Sequence, residues 1–128
     1  MSKKITVMLI DDNRIDLFIH NEFINQMKIA DTVLEFVNAT DALKFLFENE
    51  ISKWPNFILL DIHMPIMNGF EFLTEIKKVV GFNIPIIVLS TSSHKETISK
   101  VTKLGAQGYV AKPNSMREFV RVLTPFLI

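Results

Sequence analysis

The chain predicts an α/β fold: a doubly wound, five-stranded parallel sheet with helices on both faces. Three observations carry that expectation. Short apolar stretches rich in branched residues alternate five times with stretches of helical spacing. Two of the apolar stretches, Phe57–Leu60 and Ile86–Leu89, lack polar alternation, as strands covered on both faces do. Five strand–helix units are too few to close an eight-stranded barrel, so the sheet should stay open.

The elements follow in order. The strands are expected at Ile5–Ile10, Val33–Val37, Phe57–Leu60, Ile84–Leu89 and, more weakly, Tyr109–Ala111. A helix should start near Asn13 and bury a stripe of Ile15, Phe18, Ile19, Phe23 and Met27. Leu43, Leu46 and Phe47 make a second stripe after Thr40, a candidate cap. Phe70, Leu73, Ile76 and Val80 make a third after Asn68-Gly69. A polar fourth helix, Ser93 to Leu104, carries a thin stripe of Ile98, Val101 and Leu104 and ends at Gly105. The last helix presents Met116, Phe119, Val120 and Leu123, with Asn114 or Ser115 as cap and an end near Pro125. Such stripes read as core rather than as a cofactor box.

Composition narrows the function classes. A chain of 128 residues with 48% hydrophobic content is the size of one ordinary domain, expected here over 1–128. With no cysteine there is no disulfide scaffold, thiolate metal site or sulfur redox chemistry. Fourteen basic residues balance fourteen acidic ones, so no global field favours a nucleic-acid backbone. No apolar run reaches the length of a membrane span or a signal-peptide core, and the expected location is the cytoplasm. Whether the sequence is a stand-alone protein or a domain of a longer one is left open. His20, His63 and His94 are not at metal-ligand spacing, and there is no G-x-S-x-G elbow, P-loop or dinucleotide fingerprint.

The polar residues gather where an open parallel sheet places its ligands, beyond the carboxyl ends of the strands. Asp11 and Asp12 follow the first strand, Asp61 the third, Ser90 the fourth and Lys112 the fifth. Each has an ordinary alternative: Asp11-Asp12 as helix-capping charge, Asp61 as turn chemistry with Pro65 and Gly69, Ser90 as a loop hydroxyl, Lys112 as a solvated lysine. The combination points further. Clustered carboxylates repel unless a cation neutralises them, and magnesium takes hard oxygen ligands. A carboxylate beside that metal can attack a phosphoryl group, with an ammonium and a hydroxyl to stabilise its oxygens.

With these residues in place the chain resembles the receiver domains of two-component response regulators, chemotaxis-regulator-like in form, from Ile5 to about Phe126. The resemblance rests on Leu9-Ile10-Asp11-Asp12-Asn13, on Leu60 to Gly69 (LDIHMPIMNG), on Pro85 to Ser90 (PIIVLS), and on Gly105 to Pro113 (GAQGYVAKP), in that order. It implies a flavodoxin-like (βα)5 fold of strand order 2-1-3-4-5. It implies that Asp61 is the phosphoacceptor, and that Asp12 binds Mg2+ directly and Asp11 directly or through water. The backbone carbonyl of His63 would be a further ligand. Ser90 takes the position of the switch hydroxyl, Tyr109 that of the switch aromatic, and Lys112 that of the phosphate-contacting lysine, with a cis Lys112–Pro113 bond. His63 and Ser92 flank the phosphate site, where side chains tune the lifetime of the acyl phosphate; both also read as plain loop residues. The phosphoryl donor would be a sensor histidine kinase or a phosphotransfer protein. Output would pass to a protein partner through a surface of the fourth helix, fifth strand and fifth helix.

Two other classes fit less well. A magnesium-dependent phosphohydrolase with an aspartyl phosphate usually carries a second Asp two residues after the nucleophile, where this chain has His63. A pseudo-receiver that takes no phosphate would not need Asp12, Asp61 and Lys112 together.

Overall fold

The computed structural model describes residues 5–91 and 94–127. Five parallel strands, β1 (Thr6–Ile10), β2 (Thr32–Phe36), β3 (Phe57–Leu60), β4 (Ile86–Ser90) and β5 (Gly108–Ala111), lie in the order β2-β1-β3-β4-β5. They alternate with α1 (Arg14–Met27), α2 (Ala39–Glu48), α3 (Gly69–Ile76), α4 (Lys95–Lys103) and α5 (Met116–Leu127). The order reverses between β1 and β3, the switch point at which such sheets bind ligands.

Side chains alternate across each strand and feed two cores. Met8, Ile10, Ile58, Leu60 and Val88 pack under α2, α3 and α4, with Phe72 and Val101 fully buried. Val7, Leu9, Leu59, Ile87 and Leu89 pack under α1 and α5, against Leu17, Ile24, Phe119 and Leu123. The alternation continues past the strand ends. Asp11 and Asp61 follow residues of the first core, which turns them toward the α1–α5 side. Ser90 follows Leu89 of the second core, and Tyr109 packs against the first, so both belong to the α4 side.

Several local expectations are corrected. In α1 the buried residues are Leu17, His20 and Ile24, while Ile15 and Phe18 are 71% and 59% exposed. The helix is apolar on several sides, so periodicity alone left its phase ambiguous, and a buried histidine hid the true stripe. The cap of α2 is Asn38, whose side chain accepts from Asp41 N–H, and Thr40 lies inside the helix donating to Asn38 Oδ1. Helix α3 ends at Ile76, so Val80 is exposed and Phe72 takes its expected place in the core. Ser115 caps α5, its hydroxyl accepting from Glu118 N–H. Pro125 sits inside that helix, which continues to Leu127; it removes one helical hydrogen bond and crowds the carbonyl one turn back, and the helix ends two residues later. No peptide bond among the described residues is cis, so Lys112–Pro113 is trans, the isomer X-Pro bonds prefer by about 0.5–1 kcal/mol.

Candidate phosphoryl and metal site

The site is assembled at the carboxyl ends of β1, β3, β4 and β5. The strand ladder places Asp11 and Asp61 side by side: Asp61 N–H donates to Ile10 O at 2.9 Å, and Asp11 N–H donates to Phe36 O at 3.0 Å. Both residues are buried, and Asp12 beside them is exposed. Carboxylate oxygens of Asp11, Asp12 and Asp61 lie within 4.8 Å of one another. Lys112 N–H donates to Ser90 O at 2.9 Å, which fixes the start of the β5–α5 loop against the end of β4.

The Lys112 ammonium reaches back across the site. Its Nζ lies 2.8 Å from Asp11 Oδ2, 2.8 Å from Asp16 Oδ2 and 3.8 Å from Asp61 Oδ1. Asp11 is further anchored because its Oδ1 accepts from Asn13 N–H at 2.9 Å. Asn13 in turn caps α1, its side chain accepting from Ile15 and Asp16 N–H. The start of α1 is thereby tied to the carboxylate cluster.

The loop from β3 to α3 leaves directly from Asp61 and packs back on it. Asn68 and Glu71 form a capping box, each side chain accepting from the other's backbone N–H. Gly69 N–H donates to Ile62 O at 2.8 Å. A Cβ at Gly69 would lie 2.8 Å from Ile62 Cα and 2.9 Å from Asp61 O, so only glycine permits this approach to the residue bearing the carboxylate. His63 is exposed in this loop, and Ile66 is exposed there with φ 70°, a left-handed conformation that a β-branched residue rarely takes.

Electrostatics follows from the geometry. Burial, then the neighbouring Asp11 charge, push the Asp61 carboxyl up to about 6, against the opposing pull of Lys112. Burial alone would lower the Lys112 ammonium, but hydrogen bonds to Asp11 and Asp16 outweigh it and raise the pKa. His20, one turn beyond Asp16, is held below its ordinary value by burial, and its ring stacks on Phe119 at 5.6 Å. Three hard oxygen donors, two of them buried and one reluctant to ionise, form a donor set suited to a small divalent cation.

The structure thus brings Asp11, Asp12, Asp61 and Lys112 together. Ser90 is fully buried at the end of β4, and Tyr109 is half-buried in β5, paired with Val88. Ser92 lies outside the described residues. Sequence reasoning missed Asp16. An acid in the first turn of a helix reads as dipole compensation, and only its position one turn after Asp12 hinted that it faces the same pocket.

Comparison with known proteins bears on the family and the fold. The sequence pattern described as "Response regulator receiver domain" matches residues 7–124. The rice two-component response regulator ORR13 is 30% identical over 91% of this chain and 93% of its own length. The probable C4-dicarboxylate response regulator DctR of Bacillus subtilis is 28% identical over 97% of this chain, which spans only 53% of DctR. Among solved structures, the phosphorylated cyanobacterial phytochrome response regulator RcpA superposes with a TM-score of 0.82 at 26% identity, covering 97% of this chain and 91% of that one.

Proposed function

Since the chain belongs to the response regulator receiver domain family, we propose that it is a two-component phosphoacceptor that takes a phosphoryl group on Asp61 with Mg2+ and signals through a changed surface. The observation that carries this reading is the setting of Asp61: buried, within 4.8 Å of two other carboxylates, its carboxyl raised to about 6, and 3.8 Å from an ammonium. At neutral pH that carboxyl is still ionised and can act as nucleophile. One of its oxygens attacks the phosphorus of the donor; the donor's bond to phosphorus breaks and its electron pair leaves with the donor. Asp11, Asp12, Asp61 and the backbone carbonyl of His63 would hold the metal, which neutralises the phosphoryl oxygens. Lys112 and Ser90 contact the same oxygens. His63 and Ser92 set how readily water reaches the acyl phosphate.

Receiver domains accept phosphoryl groups from sensor histidine kinases, and such a kinase, or a phosphotransfer protein, is the proposed donor here. Residues 1–128 would form one receiver domain, acting in the cytoplasm without nucleic-acid contact. No described helix is long and apolar enough to cross a membrane. Its only reactions would be self-phosphorylation and loss of that phosphate. For output, Ser90 moves to hydrogen-bond the phosphoryl group and Tyr109 fills the space it leaves, which biases the surface made by α4, β5 and α5 toward a protein partner. The placement of both residues on the α4 side of the sheet favours this route.

Intact mass spectrometry after incubation with acetyl phosphate and magnesium tests the assignment. Wild type should gain one phosphoryl group and Asp61→Asn none, with no turnover of added phosphate esters. Phosphorylation of Asp61→Asn at another residue, or steady ester hydrolysis by wild type, overturns it.

A further inference from the structure

Lys112 is shared, and unevenly. Two of its three N–H donors are taken at 2.8 Å by Asp11 and Asp16, while Asp61 Oδ1 stands at 3.8 Å, beyond hydrogen-bonding reach. The ammonium is drawn toward α1 and away from the carboxylate that the proposed function makes the phosphoacceptor. A phosphoryl group on Asp61 would need that ammonium. Asp11 is badly placed to release it, being 5% exposed with its other oxygen held by Asn13 N–H. Asp16 is the weaker holder: its side chain is 28% exposed, so water can take over its hydrogen bonds at low cost.

We propose that Asp16 is a positioning residue that competes with the phosphoryl group for Lys112, tethering the ammonium to the first turn of α1 until phosphorylation pulls it toward Asp61. This rests on the phosphoacceptor reading. Geometry supports it twice: the Asp16–Lys112 contact joins residues 96 apart in sequence across a partly buried site, and Asn13 fixes the turn that carries Asp16 by capping it. Asp16 also adds a negative charge beside the place where phosphoryl oxygens would gather. Its net effect is therefore to weaken phosphoryl binding and keep the resting state populated.

The test is a double-mutant cycle over wild type, Asp16→Ala, Lys112→Ala and the double variant, with Asp16→Asn keeping the shape without the charge. In metal-free protein, urea denaturation should show positive coupling between the two sites; its absence would deny the contact. With saturating magnesium and beryllofluoride as phosphoryl mimic, Asp16→Ala should bind the mimic about fivefold more tightly, and Asp16→Asn should show an intermediate gain. The gain should shrink when Lys112 is alanine, to what the direct repulsion between Asp16 and the mimic supplies. Unchanged or weaker binding by Asp16→Ala, or an equal gain without Lys112, overturns the tether. Failure of wild type itself to bind the mimic would instead remove the phosphoacceptor reading, and the tether with it.

Discussion

At the amino ends of the strands, Trp54 packs against Phe82 in a tilted pair with ring centroids 5.9 Å apart and donates its indole N–H to Leu46 O and Asn49 O. Neutral groups there satisfy one another. At the carboxyl ends, three carboxylates gather within 4.8 Å, a fourth stands on the far side of Lys112, and that one ammonium serves the group. The same strands thus run from an edge where removing a group should cost stability to one where removing a charge should add it. The proposed function uses the second edge because unmet demand for positive charge is what a divalent cation answers, and the cation can then offset the charge of a phosphoryl group. The first edge supplies the stability that tolerates it.

The largest effect expected tests where the two demands meet. Gly69→Ala would force a Cβ against the backbone of Asp61 and Ile62, and should cost about 3 kcal/mol in urea denaturation and slow phosphorylation as well. Gly108→Ala is the control: its Cβ would meet only the ring end of Phe126, a side chain able to turn, and should cost about 1 kcal/mol.

Next in size is the charge itself. The Asp61 carboxyl is raised from 3.8 to about 6 on folding, so the folded state binds its proton more tightly than the unfolded state does. Stability from this group therefore rises as pH falls from about 6 toward 3.8 and is lost again above that window. Asp61→Asn, a neutral isostere, should stabilise the metal-free protein by about 2 kcal/mol at pH 7. His20 works in the opposite sense. Its pKa is lowered by burial, so its stabilising neutral form is present above 6.5 and its contribution fades as acid protonates the unfolded ring. Just below 6 the two oppose, so wild type should show a flattened pH dependence there, while Asp61→Asn should lose stability on acidification below 6.5. Identical pH profiles for the two proteins would contradict the Asp61 shift.

The smallest effect belongs to the amino edge. Trp54→Phe removes two hydrogen bonds and should cost about 1 kcal/mol, with the phosphorylation rate unchanged. A slowed rate would mean that the two edges are coupled.

Much of this was legible in the sequence, and unequally so. Continuous apolar runs such as Phe57–Leu60 have one interpretation in an alternating chain, so the sheet and its polar rim at Asp11, Asp61, Ser90 and Lys112 could be read directly. Helix phase could not. Ile15, Phe18 and Ile19 compete with Leu17, His20 and Ile24 for the same core, and only docking against Phe119 and Leu123 decides between them. Asp16 stayed hidden for a related reason: which face of α1 meets Lys112 depends on that phase. The Asn38 cap was displaced in the sequence reading by Thr40, since two residue types with the same capping ability stand two positions apart. Likewise, the resemblance implied a cis bond at Pro113, whereas the local preference for trans is what the backbone displays.

The claim that the carboxyl edge is short of positive charge is tested most directly by melting wild type and Asp12→Ala with chelator and across a magnesium titration. Wild type should gain stability with magnesium, by about 2.7 kcal/mol at one hundred times its dissociation constant. Asp12→Ala should be more stable than wild type in chelator, having lost a repelling carboxylate, and should lose most of the magnesium response. An Asp12→Ala protein no more stable without metal, and responding to magnesium as wild type does, would contradict the account.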